Sequence, residues 1–131
     1  MIELSLRTNN KREVVDITGF IDDHCEGSGI RTGWCFLSTL HTTCAVSVAD
    51  LDPGTDLDML DAFEKMIPKL QYRHPHDPGH APDHILSALI GNSIMLPVER
   101  GELVLGTWQR AVLFEFNGPK QRLLKLSFIK Q

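Results

Sequence analysis

Hydrophobic and polar residues alternate along most of the chain, and this alternation predicts a protein built mainly from β-strands. Ile2, Leu4 and Leu6 share one face of a first strand, because successive side chains of a strand point to opposite faces. The segments VVDIT, GWCFLSTL and CAVSVAD predict further strands in the first half of the chain,. In the second half, SIMLPV, ELVLG, RAVLFEF and RLLKLSFI predict strands, with NGPK as a turn before the last one,.

Three segments have helical rather than strand patterns. GFIDDHCEGSG predicts a short helix stopped by its glycines, and DHILSALIG predicts a helix near the middle of the chain,. TDLDMLDAFEKMIPKL has the strongest pattern: Thr55 and Asp58 resemble a capping box, and Pro68 ends the helix,. Strands surrounding three helices, without regular β–α alternation, favour an α+β fold formed as a single domain over residues 1–131,.

Composition and charge exclude several classes of protein. The chain is 42% hydrophobic and 23% charged, as in an ordinary globular protein, and no apolar run approaches the roughly 18 residues of a membrane span,. A net charge of −4 argues against non-specific nucleic-acid binding, which depends on Lys and Arg neutralising phosphates,. The N-terminal segment has no signal-peptide pattern, and three cysteines without a Cys-x-x-Cys pair favour a reducing compartment,. We therefore expect a cytoplasmic protein with no nucleic-acid or membrane partner.

Four of the six histidines, His74, His76, His80 and His84, lie within one short segment, RHPHDPGHAPDH. On a helix, His80 and His84 would share a face, and His74 and His76 would share one side of an extended segment. Imidazoles placed in this way are candidate ligands for one metal ion. The prolines between them hold the segment as a shaped loop. The structural alternative is an exposed loop in which the histidines have no function.

Three further polar features are candidates for chemistry. Asp58 belongs to an aspartate-rich helix start, where a capping residue and a site carboxylate would occupy the same place,. His41-Thr42-Thr43 connects two predicted strands, and a purely structural histidine is the alternative there. Glu115 lies in an apolar strand and must be paired or exposed, because burying a lone carboxylate is costly,. We expect Arg122 to be its partner in a structural pair.

These residues together match the pattern of a known family. The pattern extends, in order and with compatible spacing, over roughly residues 15–129. The chain resembles the YjbQ-like family at His41-Thr42-Thr43, Asp52-Pro53, Asp58, Tyr72-x-His74, His84, SIMLPVERGELVLGTWQ (93–109) and Gly118-Pro119 with Arg122.

The resemblance implies a fold, an assembly and an activity. The implied fold is α+β, a splayed β-sandwich with a mixed sheet and about three helices. The implied assembly is a homotrimer with pockets near the subunit boundaries. Some members of the family are described as secondary thiamine-phosphate synthases, transferases that join a pyrimidine diphosphate to a thiazole phosphate and release pyrophosphate. The implied partners are thus a phosphorylated small molecule and further copies of this chain.

The resemblance also implies roles for individual residues. Asp58 would act as a general base or as an orienting residue, and Trp108 would stack on a substrate ring unless it is a buried structural residue. Arg122 would contact phosphate if it is not tied to Glu115. The implied metal ligands are His41, His74 and His84, holding zinc or magnesium; the implied catalytic residues are Asp58, His41 and Arg122; the implied substrate-binding residues are Thr42, Trp108, Gln109 and Arg122.

The sequence departs from the family pattern at three positions. Ala49 stands where the family usually has a glutamate, and the adjacent Asp50 would point to the opposite face of a strand,. Asp83 replaces a small residue, and Ala111 replaces a larger aliphatic one. Two alternatives stay open. One is a metal-dependent hydrolase of phosphoesters that uses the same pocket, and the other is a non-catalytic trimeric protein that binds a metal or an anion but lost turnover with the missing glutamate. His76 and His80 match nothing in the pattern, and we expect them at the rim of the site.

Overall fold

The fold is described by a computed structural model that covers residues 1–131 and contains eight strands and three α-helices. Each segment with a strand or helix pattern forms the predicted element, although the strand predicted from ELVLG is only two residues long. The strands are β1 (Ile2–Arg7), β2 (Glu13–Asp16), β3 (Thr32–Thr39), β4 (Cys44–Ala49), β5 (Ser93–Glu99), β6 (Glu102–Leu103), β7 (Arg110–Glu115) and β8 (Gln121–Lys130). The helices are α1 (Thr18–Ser28), α2 (Thr55–Met66) and α3 (Ala81–Ile90), and a 3₁₀ turn at Pro78–His80 leads into α3.

The strands form two sheets. One has five strands in the order β1-β8-β3-β5-β6, and the other has three in the order β2-β7-β4. The α+β class, the two-sheet arrangement and the three helices are confirmed. The mixed sheet that the resemblance implied is not found, because every strand pair is antiparallel.

The main core lies between the two sheets and is closed at one side by α1. Alternate residues of the strands point into it, such as Leu37 of β3, Leu113 of β7 and Leu124 of β8, all fully buried,. Cys25 of α1, Cys35 of β3 and Cys44 of β4 belong to the same core, and all three are free thiols. Burial raises the pKa of Cys35 to about 12,.

A second, smaller core covers the other face of the three-stranded sheet. Val112 and Phe114 of β7 pack there against Leu60 of α2 and Leu86 of α3. Ala45 of β4 is fully buried in the same core. Small residues on this face of β4, such as Ala45, therefore let the helices approach the sheet closely.

The start of α2 differs from the predicted capping box. Gly54 is the N-cap residue, with a φ of 91°, and no side chain caps the helix. In a capping box the threonine is the N-cap residue, and its hydroxyl accepts a backbone N–H of the first turn. Thr55 lies inside the helix instead, so its hydroxyl cannot have this role. At the other end, Ile67 is extended because Pro68 disfavours a helical conformation at the residue before it,.

The outer face of the five-stranded sheet has no covering layer and carries large apolar side chains. Trp34 lies opposite Ile129, and Phe36 lies opposite Met95. Trp34, Ile129 and Met95 are each about half exposed. We call these four residues the apolar sheet face. No helix of the chain is both long and apolar enough to cross a membrane.

Candidate functional site

A cavity of about 430 Å³ opens where the loop before β4 meets α3 and the start of β8. We call it the histidine cavity. Its lining contains imidazole, hydroxyl, amide, ammonium and guanidinium groups, and no carboxylate. The lining residues are Leu40, His41, Thr42, Thr43, His80, His84, Asn117, Lys120 and Arg122.

His84 is held in place by the backbone of the loop before β4. Its Nδ1 lies 3.1 Å from the carbonyl oxygen of Thr42. Because a carbonyl oxygen only accepts hydrogen bonds, Nδ1 carries the proton, and the Nε2 of the neutral ring keeps its lone pair. One turn further along α3, the Ser87 hydroxyl donates to the carbonyl oxygen of Cys44 at 2.6 Å. These two hydrogen bonds fix the position of α3, and with it the His84 ring, against β4.

His41 is oriented in the opposite way. Its Nε2 accepts the backbone N–H of Leu123 at 2.9 Å, so Nδ1 carries the proton of the neutral ring,. Burial lowers the pKa of His41, and the positive charges of Arg122 and Lys120 lower it further, against a smaller opposing effect of Glu115,. At neutral pH the ring is therefore uncharged, and Nδ1–H is its remaining hydrogen-bond donor.

The histidine segment brings three of its four members to the site or beside it. The rings of His74 and His84 have centroids 4.5 Å apart and are tilted by 49°. His80 also lines the cavity, where its Nε2 lies 3.2 Å from the Asp77 carboxylate on the more exposed side. His76 has a positive φ of 69° within the turn that follows Pro75. His74 and His84 are thus adjacent, and His80 lies beside them.

The predicted metal ligands do not form a three-histidine site within one chain. No group of three or more His, Cys, Asp or Glu side chains is placed so that it could hold a metal ion. His84 offers its Nε2 lone pair, as a metal ligand must, and His74 lies beside it. The lone pair of His41 at Nε2 is instead taken up by the backbone N–H of Leu123. Within one chain, His74 and His84 are therefore adjacent candidate ligands, and the Nε2 of His41 is already used by the backbone.

Arg122 is paired with Glu115, as the sequence predicts, and both side chains are fully buried. The Arg122 Nε donates to Glu115 Oε2 at 2.8 Å, and Nη2 donates to Glu115 Oε1 and to the Thr43 hydroxyl. Burial alone would raise the pKa of Glu115, but hydrogen bonds from Arg122, Asn117 and Thr8 outweigh it and hold the pKa below its usual value,. The Nη1 of Arg122 makes no hydrogen bond to a protein atom, and Arg122 lines the histidine cavity with only 1% of its side chain exposed.

The Gly-Thr-Trp-Gln segment lies in a different place. A cavity of about 220 Å³, which we call the tryptophan cleft, is lined there by Trp108 and Arg110 together with Asp16, Asp50 and Asp52. The Trp108 side chain is 67% exposed, so its interpretation as a buried structural residue is wrong. Gln109 uses its side-chain oxygen to accept the backbone N–H of Gly106 at 2.8 Å.

The histidine cavity and the tryptophan cleft lie at opposite ends of β4. Cys44, at the histidine end, pairs with Glu115, and Ala49, at the other end, pairs with Arg110. Five steps of about 3.3 Å along a strand separate the two ends by roughly 17 Å. Asp58, exposed in the first turn of α2, does not line the histidine cavity. One chain therefore brings together His41, Thr42, His74, His84 and Arg122 and leaves Trp108, Gln109 and Asp58 apart from them.

Two polar residues of the histidine cavity were missed by sequence reasoning. Lys120 and Asn117 come from the turn between β7 and β8, which the sequence marked only as a turn. A usable signal was the spacing of Lys120 and Arg122, because residues two apart at the start of a strand share a face. Their two positive charges lie next to the predicted histidines.

Comparisons with known proteins agree with the sequence pattern. The family described as "UPF0047 protein YjbQ-like" matches residues 2–131. A UPF0047 protein of Archaeoglobus fulgidus is 38% identical over 122 residues, covering 92% of this chain and 94% of that protein. The UPF0047 protein YugU of Bacillus subtilis is 32% identical over 120 residues and covers 91% of each chain.

Solved structures of similar proteins share the fold. A protein of the YjbQ/UPF0047 family from Clostridium acetobutylicum superposes with a TM-score of 0.89 at 33% identity, covering 98% of this chain and 100% of the other. A protein of unknown function from Sulfolobus solfataricus superposes with a TM-score of 0.92 at 28% identity, covering 99% and 96%. The similarity extends over the whole of both sheets and all three helices.

Proposed function

Because the chain belongs to the YjbQ-like UPF0047 family, we propose that it is a cytoplasmic enzyme whose histidine cavity binds the phosphoryl groups of small metabolites. The proposed reaction is that of a secondary thiamine-phosphate synthase, a transferase acting on a pyrimidine diphosphate and a thiazole phosphate. Three free, buried cysteines are consistent with a reducing compartment,.

The observation that carries the proposal is the chemistry of the cavity lining. Lys120 and Arg122 supply positive charge, while the neutral His41 supplies an N–H donor and Thr42 a hydroxyl. No Asp or Glu lines the cavity to repel an anion. The negative charge of Glu115 lies behind Arg122 and holds the guanidinium in one orientation. A prearranged set of donors facing a single cavity is what stabilises a multiply charged leaving group.

The transfer step needs little covalent chemistry from the protein. The bond between the methylene carbon of the pyrimidine and the diphosphate oxygen breaks, and the diphosphate leaves with the electron pair. The lone pair of the thiazole nitrogen forms the new carbon–nitrogen bond, which gives a thiazolium cation. In this proposal Arg122 Nη1, Lys120 and His41 Nδ1–H stabilise the departing pyrophosphate. The His84 Nε2 accepts a hydrogen bond from the substrate.

The proposal includes assembly, because within one chain the predicted site residues lie in two separate places, the histidine cavity and the tryptophan cleft. We propose a homotrimer in which the tryptophan cleft of one subunit faces the histidine cavity of the next. Trp108 would then stack on a substrate ring, and Asp58 and Gln109 would reach the same substrate. The apolar sheet face supports self-association, since exposed contiguous apolar surface of this kind marks protein interfaces,.

Subunit mixing tests the divided site. His84→Ala and Trp108→Ala each inactivate a homotrimer in this proposal, because each removes one half of every site. Unfolding and refolding a mixture of the two variants should restore part of the activity, since some boundaries then join two intact halves. No recovery in mixtures that are shown to contain both subunits would contradict a site shared between subunits.

The activity itself is tested by measuring thiamine-phosphate formation from the two phosphorylated substrates. The wild type should form product, His84→Ala should lose most of the activity, and His24→Ala, on α1 away from the cavity, serves as the matched control. Equal rates in the wild type and His84→Ala would reject the proposal. Metal analysis of the same samples tests the predicted zinc or magnesium, which a site formed by several subunits would still be able to bind.

One observation favours a second candidate, a hydrolase of phosphorylated metabolites. The free Nε2 lone pair of His84 is suited to taking a proton from water, as a hydrolase requires,. Inorganic phosphate released from a panel of phosphoesters, without thiamine phosphate from the synthase substrates, would favour this candidate. Phosphate binding without either product would favour the non-catalytic alternative.

A further inference from the structure

A third cavity, of about 540 Å³, lies on the opposite side of α3 from the histidine cavity. Pro82 and Leu86, four residues apart on α3, face this cavity, whereas His80 and His84 face the histidine cavity. We call it the apolar cavity. Its wall is formed mostly by apolar side chains from the end of α2, the segment after it and α3: Ile67, Pro68, Leu70, Pro78, Pro82 and Leu86.

The wall on the α2 side is tied together locally. The Tyr72 hydroxyl donates a hydrogen bond to the carbonyl oxygen of Pro68, so the segment between them is closed into a loop. Leu86, on the α3 side, is 1% exposed and belongs to the second core. The cavity therefore lies between a closed loop and a buried helix face.

Arg12, which follows β1, also lines the apolar cavity. Its Nη2 donates to Asp83 Oδ1 at 3.2 Å, and the Asp83 side chain is 2% exposed. The Nη1 of Arg12 is the one buried side-chain nitrogen or oxygen atom of the chain that has no hydrogen-bond partner. A buried donor without an acceptor destabilises the fold, so an acceptor at this position would be stabilising. The Arg12 side chain as a whole keeps 30% exposure and forms part of the cavity wall, with Nη1 on its buried side.

We infer that the apolar cavity binds a small apolar carboxylic acid, whose carboxylate pairs with Arg12 and whose apolar part fills the space beside Leu86. The volume lies within the roughly 300–1,000 Å³ of small-molecule sites, and an apolar wall with one placed polar group is typical of them. A guanidinium matches a carboxylate in charge and geometry. Lys69 and Glu64 offset one another in the lining, and Arg12 is the remaining charged residue of the wall. Its Nη2 is already paired with Asp83, so the ligand carboxylate is inferred to meet Nη1.

This inference does not depend on the proposed function. None of the residues that line the apolar cavity lines the histidine cavity or the tryptophan cleft. Asp83, which holds Arg12, is one of the positions at which this chain departs from the family pattern. The site is therefore expected to distinguish this chain from relatives that lack the carboxylate.

The test compares two probes that differ only in charge, 4-phenylbutyrate and 4-phenylbutanamide, by calorimetry and by NMR shifts of the full chain. Phenylbutyrate should bind saturably, shift the Leu86 methyl signals and bind at least about tenfold more tightly than the amide. Inorganic phosphate should not displace it. No saturable binding, equal affinity for the two probes, or displacement by phosphate would each overturn the inference.

Three variants locate the carboxylate. Arg12→Gln should weaken phenylbutyrate binding by about tenfold or more, whereas Arg7→Gln, at an exposed arginine of β1, should leave it unchanged,. Leu70→Asp covers the case in which Arg12→Gln disturbs the fold, because Leu70 is 64% exposed at the cavity wall. The added negative charge should also weaken binding. Unchanged affinity in both Arg12→Gln and Leu70→Asp would overturn the inference.

Discussion

The His41 ring is tied to the backbone of β8, because its Nε2 accepts the amide proton of Leu123 at 2.9 Å. This contact joins the loop before β4, a strand of the three-stranded sheet, to β8, a strand of the five-stranded sheet. It also decides which nitrogen of His41 carries the proton. The neutral ring therefore presents its Nδ1–H to the histidine cavity as a hydrogen-bond donor.

The first prediction concerns this tautomer. Nitrogen NMR of the imidazole should show His41 protonated at Nδ1, and its titration midpoint should lie below 6.5, because burial and the charges of Arg122 and Lys120 disfavour the charged ring,. The neutral ring then stabilises the fold fully above about pH 6.5, and this contribution is lost as the pH falls through the folded-state pKa. A proton on Nε2 at neutral pH would contradict the prediction.

The second prediction concerns the buried pair of Arg122 and Glu115. Arg122→Ala should lower the free energy of unfolding by about 3–5 kcal/mol, because it leaves the Glu115 carboxylate buried without its partner. Arg110→Ala is the matched control: its pair with Asp16 has a similar distance of 2.8 Å but is exposed. That change should cost less than about 1 kcal/mol. Urea denaturation measures both, and equal losses would show that burial of the pair does not matter.

The third prediction concerns acid stability. Hydrogen bonds from Arg122, Asn117 and Thr8 outweigh burial and lower the pKa of Glu115 below 4.5. A lowered folded-state pKa stabilises the fold above the unfolded value, and this stabilisation is lost as the pH falls through the folded value. The urea concentration at the unfolding midpoint should therefore decrease as the pH is lowered below about 4.5. It should decrease less steeply in Glu115→Gln. Glu3→Gln, at an exposed pair with Lys125, should keep the wild-type slope.

The fourth prediction concerns Ala49, the position at which the resemblance to the family implies a glutamate. Ala49 pairs across the sheet with Arg110, beside the tryptophan cleft. Ala49→Glu should raise thiamine-phosphate formation if that carboxylate serves the reaction, and Ala49→Gln, similar in size but neutral, should not. Activity seen only in Ala49→Glu would favour a non-catalytic role for the natural chain. Equal activity in both variants and the wild type would exclude position 49 from the reaction.

The fold was largely predictable from sequence because it depends on local periodicity. Alternation identified the long strands, since each has one face in the core between the sheets,. The capping box failed for a local reason: a glycine with positive φ begins α2, and Thr55 lies one residue further on than a cap requires. The shortness of β6 also escaped prediction, because the length of strand pairing depends on the neighbouring β5.

The site was only partly predictable because residue type does not give position along a strand. The pairing of Glu115 with Arg122 followed from the cost of burying a lone carboxylate,. The separation of Trp108 from His84 could not be predicted in this way, since it depends on which end of β4 each segment meets. The proton on His41 depends on a single backbone amide of a distant strand, which no sequence motif encodes.

The three buried cysteines can report local opening of the structure, because each lies in a different part of the fold. Cys25 lies on α1, Cys35 in the five-stranded sheet and Cys44 in the three-stranded sheet, and each is at most 1% exposed. An alkylating reagent reaches such a thiol only when the surrounding segment opens. The relative modification rates of the three sulfurs therefore reveal whether the helix and the two sheets separate from one another singly or in one concerted event.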